Sequence, residues 1–287
     1  METANLWPQP TRSCLFVPGD RPRKIAKAAQ SAADVIIIDL EDAVAPEQKE
    51  QARQLTAVAL PDMPYRTKPT LVRINGLHTP FAYDDLRATL HAKHAGYVLP
   101  KLERAEALQA LFRWLDERDA GDRPLFALVE SALGILNLPQ IVTAGVALAG
   151  LIFGGEDYVA SIGGMATAGR HELLYARSAV VMAAGAVGIP AIDTVYTDYH
   201  DLAGLQADAE FAKQLGFAGK LVIHPQQVEV VNSVWTPSRA ERAAAQDLLT
   251  AYEQHQAHGI GVFSQNGRMV DEALIRQARQ ILARASD

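Results

Sequence analysis

The sequence holds a single cysteine, Cys14, in 287 residues. A lone cysteine makes no disulfide within its own chain, which fits a reducing, cytoplasmic setting. Its place inside an apolar run marks it as buried filler rather than a nucleophile. Basic residues are also in short supply, with 27 Lys and Arg against 33 Asp and Glu and a net charge of −6. Nucleic-acid binding needs a basic surface to neutralise phosphates, so no nucleic-acid partner is expected. No long apolar run is present. The least polar stretch, 179–192, is interrupted by Gly185, Gly188 and Pro190 and falls short of the roughly 20 residues of a membrane span. The first dozen residues lack the apolar core of a signal peptide, so a soluble protein with no membrane contact is expected. GxGxxG after the first strand, GxxxxGK[ST] and HExxH are missing too, as are internal repeats and low-complexity tracts. Those absences remove support for dinucleotide, P-loop and zinc-protease readings.

What the sequence does contain is a regular alternation. Short aliphatic or β-branched runs at 14–18, 35–41, 70–75, 96–101, 125–130, 150–157, 191–196 and 220–225 read as strands. Amphipathic segments such as 46–60, 105–117 and 207–215 separate them. Apolar strands alternating with helices imply a parallel sheet covered by helices. Eight such units in about 225 residues predict an α/β (β/α)8 TIM barrel, whose typical size is about 250 residues. An open doubly wound sheet is the alternative. The expected barrel domain spans 12–236. A C-terminal helical extension follows over 237–287, with one helix from a Ser238–Glu241 capping box to about residue 258 and another over 272–284. The glycine-rich stretch 259–271 between them reads as a lid loop.

Barrel enzymes take their catalytic groups from the C-terminal ends of strands. Here nearly every strand ends on a polar group: Asp20 and Arg21, then Asp39, Glu41 and Asp42, then Arg73 and Asn75, Lys101, Glu130, Glu156 and Asp157, Asp193 and His224. Any one of them could serve only in a rim ion pair. Glu130 and Asp157 end neighbouring strands, whose backbones lie roughly 4.8 Å apart. Two such carboxylates repel unless a proton or cation lies between them, and hard oxygen donors without Cys or His suit Mg2+. The guanidinium of Arg73 matches a carboxylate or enolate oxygen, or a salt bridge to Asp39 or Glu41. Arg21, Arg23, Lys24 and Lys27 form either a solvated helix face or a seat for phosphates. The pairs His91/His94 and His255/His258 have no third ligand nearby and read as solvated.

The strings SCLFVPG (13–19), DLEDAV (39–44), VRIN (72–75), LPK (99–101), LVES (128–131), FGGED (153–157), AIDTVY (191–196) and GFAGKLVIHP (216–225) together resemble the citrate lyase β-subunit and malyl-CoA (citramalyl-CoA) lyase family, within the HpcH/HpaI aldolase/citrate lyase superfamily. The resemblance spans about residues 12–284. It implies Mg2+ on Glu130 and Asp157, Arg73 as a catalytic and substrate-binding group, and coenzyme A near Phe16, Arg23 and Lys27. It implies a homotrimer or hexamer, in which the string GRMVD (267–271) supplies Asp271 as a catalytic acid or base to a neighbouring subunit. Asp271 is equally placed to be the N-cap of the last helix, with Val270 and Ile275 as a hydrophobic staple. The activity so implied is retro-Claisen cleavage of a citramalyl-CoA or malyl-CoA thioester to acetyl-CoA and a 2-keto acid. Cleavage of citryl-acyl-carrier protein and a metal aldolase that does not use CoA are the alternatives. A catalytically silent scaffold would have no need of the Arg73, Glu130, Asp157 and Asp271 set. Ser131 and Tyr158 replace the family's usual Thr and Leu beside the expected metal, which bears on the identity of the acyl group.

Overall fold

A computed structural model describes residues 11–65, 67–92, 95–257, 262–265 and 267–283. The chain divides into two compact units at Asn232/Ser233. The first opens with β1 (Ser13–Pro18), α1 (Pro22–Ala29), β2 (Val35–Asp39), α2 (Lys49–Ala59), β3 (Thr70–Arg73), α3 (Ala82–Thr89), β4 (Gly96–Leu99) and α4 (Ala105–Asp116). It continues through β5 (Leu125–Val129), α5 (Ala132–Leu136), α6 (Leu138–Val142), β6 (Gly150–Phe153), α7 (Gly155–Ser161) and α8 (Leu174–Val187). β7 (Ala191–Asp193), α9 (Leu202–Leu215), β8 (Gly219–Val222) and α10 (Pro225–Trp235) complete the series. The eight strands pair in chain order as a closed barrel, and β8 returns to β1 in parallel with Cys14 opposite Leu221. The fold is the TIM barrel that the alternation predicts.

Side chains alternate faces along a strand, so one parity of each strand points into the barrel. Cys14, Val35, Ile37, Leu71, Val98, Phe126, Leu128, Ile152, Ile192 and Leu221 form that inner core. The opposite parity faces the helices, and this corrects the expectation that Asp193 sits at the rim. Ile192 points inward, so Asp193 turns outward into the helix layer and is fully buried there. It accepts two hydrogen bonds from Arg177 at 2.9 Å and one from Lys220 Nζ at 2.6 Å. Asp208 on α9 accepts from Arg177 at 2.8 Å and from Lys220 at 2.6 Å, and lies 3.4 Å from Arg170. This cluster braces α8 and α9 against β7 and β8.

The strands are shorter than their apolar runs suggest. β2, β3, β4 and β5 stop before Glu41, Asn75, Lys101 and Glu130. The run 150–157 divides into β6 and the start of α7. Asp157 therefore stands in the first turn of a helix, not at the end of a strand. The segment 46–60 begins as a single 3-10 turn, Pro46–Gln48, before α2.

The second unit contains α11 (Arg239–Gln256), a hairpin of β9 (Phe263–Gln265) and β10 (Arg268–Val270), and α12 (Glu272–Ala283). The expected lid loop is thus partly a hairpin, because Phe263 and Val270 pair and pack with Tyr252 and Ile275. The capping box is present, with Glu241 N donating to Ser238 Oγ and Ser238 N donating to Glu241. Residues 258–261, 266 and 284–287 of the expected loop and last helix lie outside the described residues. So do His94 and His258, the second members of the two histidine pairs. No helix among the described residues is long and apolar enough to cross a membrane.

Removing one member of a buried charge cluster leaves its partners desolvated and unpaired. Lys220→Met should therefore lower the unfolding free energy by about 3 kcal/mol in urea titrations. An unchanged midpoint would show that the cluster does not brace the barrel.

Candidate active site

The inward parity that builds the core also builds the site. Extending it by one step past the core residues of every strand but β4 gives Phe16 above Cys14, Asp39 above Ile37 and Arg73 above Leu71. It gives Glu130 above Leu128, Gly154 above Ile152, Thr194 above Ile192 and Ile223 above Leu221. All seven line a cavity of about 340 Å3, together with Asp42, Glu156 and Asp157 among others.

Arg73 is held in place by Asp39. Its Nε and Nη2 donate to the two Asp39 oxygens at 2.7 and 2.6 Å, and its guanidinium lies 4.6 Å from the centre of the Phe16 ring. Burial disfavours the charge on Asp39, but the Arg73 charge and the N–H groups of Glu41 and Ala43 outweigh it. The carboxyl stays below its usual range. The remaining nitrogen, Nη1, lies 3.2 Å from Glu41 Oε2. That contact is an ion pair by distance only, since Glu41 Oε2 is buried without a hydrogen bond. Lys101 Nζ sits 2.9 Å from Glu41 Oε1, and the Lys101 N–H donates to Glu130 Oε1 at 2.7 Å.

Glu130 is 4% exposed. Burial, then the nearby charges of Glu41 and Asp157, push its carboxyl up to about 9. A carboxyl so crowded keeps its proton at neutral pH unless a cation takes the proton's place. Space for one is built in. A Cβ at Gly154 would lie 2.6 Å from Glu130 Cβ and 2.7 Å from its Oε2, so only glycine leaves that side open. The next residue is fixed by Gly155 N donating to Thr194 Oγ1 at 2.8 Å. Among the described residues no three metal-ligating side chains converge. Glu130 and Asp157 as a pair suit a hard cation that also takes water and substrate oxygens, as Mg2+ does. The residues present fit that ion.

The cavity brings together Phe16, Arg73, Glu130 and Asp157. Arg23 and Lys27 are exposed on α1 and do not line it. Asp271 belongs to the second unit, where its Oδ1 accepts the Leu274 N–H at 3.0 Å and caps α12. Ser131 and Tyr158 do not line the cavity either. The Ser131 hydroxyl accepts from Gly134 N and donates to Glu103, and Tyr158 packs on the Phe153 ring. Neither replacement therefore forms part of the cavity wall. The sequence offers Asp39 and Glu41 as salt-bridge partners of Arg73, and both lie beside it, whereas it assigns Lys101 no role.

The raised Glu130 pKa fixes the sign of a pH effect. The folded carboxyl keeps its proton up to about pH 9, whereas the unfolded one loses it near 4.5. Its contribution to stability is therefore full below about pH 4.5 and is lost progressively as pH rises to about 9. In EDTA, Glu130→Gln should gain stability over the unsubstituted chain as pH rises through that window, measured by urea unfolding. Parallel pH profiles would refute the assigned shift.

Two family models match the chain: HpcH/HpaI aldolase/citrate lyase over residues 12–225, and C–C bond lyase of the TIM-barrel fold over 172–286. The citrate lyase subunit beta of Leuconostoc mesenteroides subsp. cremoris is 37% identical over 96% of this chain and 93% of its own. A (3S)-malyl-CoA thioesterase of Cereibacter sphaeroides is 37% identical over 96% and 95%. The mitochondrial citramalyl-CoA lyase of Mus musculus is 36% identical over 96% and 86%. The crystal structure of CitE from Mycobacterium tuberculosis with magnesium, acetoacetate and coenzyme A superposes with a TM-score of 0.81 at 35% identity, covering 96% of this chain and 98% of that one. With a family model covering most of its barrel and relatives of this likeness along nearly its whole length, the chain belongs to the HpcH/HpaI aldolase/citrate lyase family of carbon–carbon lyases.

Proposed function

We propose that the chain is a magnesium-dependent lyase that splits a 3-hydroxyacyl thioester of the malyl-CoA or citramalyl-CoA type into acetyl-CoA and a 2-keto acid. The observation that carries this reading is the meeting of two groups in one cavity. One is a guanidinium clamped by Asp39. The other is a carboxyl, Glu130, crowded by Glu41 and Asp157 until it needs a counter-charge. Glu130 and Asp157 would hold Mg2+. Bound there, the ion supplies Lewis-acid polarisation of the substrate's hydroxyl or keto oxygen.

In the cleavage direction the hydroxyl loses its proton and becomes the keto group, while the electron pair of the adjacent C–C bond passes to the thioester. The acetyl thioester enolate then gains one proton at carbon, so the reaction balances. Arg73 stabilises the negative charge that develops on oxygen through Nη1, the nitrogen Asp39 leaves available. Burial works against the Arg73 charge, but the Asp39 carboxylate outweighs it and keeps the guanidinium protonated. The apolar lining from Phe16, Leu128 and Ile223 limits water at the enolate carbon. Asp271, supplied by a neighbouring subunit, is assigned the proton at that carbon. Arg23 and Lys27, exposed after β1, provide positive charge for the phosphates of CoA. A citryl group on an acyl-carrier protein is the second reading, favoured by the likeness to the Leuconostoc citrate lyase subunit.

The first test is product release from malyl-CoA and citramalyl-CoA with Mg2+ and with EDTA. Keto acid and acetyl-CoA together, with Mg2+ only, establish the lyase. Free hydroxy acid and CoA without keto acid would make the chain a thioesterase. No product from a folded chain that binds Mg2+ would move the substrate to the acyl-carrier protein. Asn caps a helix about as well as Asp. Asp271→Asn should therefore keep the thermal midpoint and Mg2+ affinity but lower kcat by about 100-fold or more, at the lower end of what general acid–base catalysis contributes. Turnover at the unsubstituted rate would remove Asp271 from the mechanism.

A further inference from the structure

Lys101 follows Pro100 at the end of β4 with φ +52°, the left-handed region that a residue with a Cβ adopts only when its surroundings enforce it. The enforcing contacts come from the residues after it. Leu102 N donates to Leu128 O at 3.2 Å, Glu103 accepts from the Ser131 hydroxyl at 2.8 Å, and the Glu103 carbonyl accepts from Asn137 at 2.8 Å. Residues 102 and 103 are thus stitched to β5 and to both ends of α5. The strained turn sends two parts of one residue to two places. The backbone N–H meets Glu130 Oε1 at 2.7 Å, and the ammonium reaches Glu41 Oε1 at 2.9 Å and Asp42 Oδ1 at 3.4 Å.

The Glu41 contact bears on Arg73. Two guanidinium nitrogens are spent on Asp39, and Glu41 Oε2 waits 3.2 Å from the third without forming a hydrogen bond. The Glu41 backbone cannot move to close that gap. Its N–H is bonded to Asp39 Oδ1, and its carbonyl accepts from the buried Lys49 ammonium at 2.6 Å. Only the side chain can turn, and Lys101 holds it by the other oxygen.

We propose that Lys101 is a positioning residue for both halves of the cavity: its left-handed backbone aims an N–H at Glu130, and its ammonium restrains Glu41 from capping the Arg73 nitrogen that receives the substrate oxygen. The inference rests on the reading of Glu130 as a cation ligand and Arg73 as the partner of the reacting oxygen. Loss of the ammonium lets Glu41 rotate onto Nη1, which occupies the donor meant for the transition state. Loss of the left-handed backbone instead turns the N–H away from Glu130 and loosens the cation ligand.

The two roles separate by substitution. Lys101→Met keeps the aliphatic stem and the same backbone demand but removes the charge. It should lower kcat by about tenfold or more with KM within about threefold, the pattern of an interaction made only in the transition state. Mg2+ affinity, read by calorimetry with the metal alone, should be no weaker than in the unsubstituted protein, since taking a positive charge from an acidic cluster cannot weaken its pull on a cation. Lys101→Arg should recover most of kcat. Lys101→Val, β-branched and averse to positive φ, should in addition weaken Mg2+ binding by about tenfold. Lys101→Met with unchanged kcat, or a loss of kcat that Arg does not recover, overturns the ammonium role. Lys101→Val with unchanged Mg2+ affinity overturns the backbone role, and if that variant does not fold, Lys101→Thr, also β-branched but smaller, is read in the same way. An unsubstituted chain that binds no Mg2+ refutes the functional reading and this inference with it, whereas normal Mg2+ binding with silent variants refutes this inference alone.

Discussion

Everything at the mouth of the barrel depends on the two hydrogen bonds between Arg73 and Asp39. Both groups are nearly buried, so each would be costly to keep charged without the other. Paired, they form a fixed, permanently cationic edge with one nitrogen left over. Asp39 is fixed in turn by the N–H groups of Glu41 and Ala43, the second and fourth residues after β2. The turn after β2 therefore does two things at once. It locks the carboxylate that locks the guanidinium, and it delivers Glu41 to the one nitrogen still unspent. Lys101 and Glu130 fall into place around that arrangement from the next strands.

The barrel was legible because apolar strands and amphipathic helices alternate with a regular period, and eight such units in about 225 residues match the size of a closed barrel. The cavity was legible for a simpler reason: the strand period of two. Counting from Ile37 to Asp39, from Leu71 to Arg73 and from Leu128 to Glu130 keeps one face, and that face ends in chemistry. The same count, applied to Ile192, would have sent Asp193 outward, where it lies. Asp157 escaped the count because the backbone leaves the strand at Gly154 and begins a helix one residue later. An apolar run carries no mark of where extended backbone becomes helical when glycines sit at the junction. The hairpin of β9 and β10 was hidden by the same residue type, since Gly267 reads as a loop whether or not strands flank it. The role of Lys101 was beyond reach, because a left-handed lysine has no signature in the residue string.

Two clusters of charge, one in the helix layer outside β7 and β8 and one inside the barrel at the ends of β2 to β5, differ in completeness. In the helix layer, Arg170, Arg177 and Lys220 meet Asp193 and Asp208, and Arg170 also pairs with Glu156 at the cavity wall, cation for anion. That set is satisfied by the chain itself, and it acts as structure. Inside the barrel, Asp39, Glu41, Asp42, Glu130 and Asp157 gather around Arg73 and Lys101. Anions exceed cations there, and burial makes the excess expensive. The fold tolerates the imbalance because the outer cluster and the apolar layers beneath it hold the strands rigid. Sites of this kind carry function because the chain has left a charge for something else to supply.

The single thiol of the chain lies one layer below the cavity. Cys14 belongs to the sealed inner core beneath Phe16, and burial, helped by the charge of Asp34, holds its proton far more tightly than in free cysteine. An alkylating reagent attacks the thiolate, and in the closed barrel there is neither a thiolate nor a path to it. The rate at which such a reagent marks the protein is therefore the rate at which the seam between β1 and its neighbours comes apart. Having only one cysteine, the chain carries an intrinsic clock for the opening of its own barrel, with no second thiol to confuse the reading.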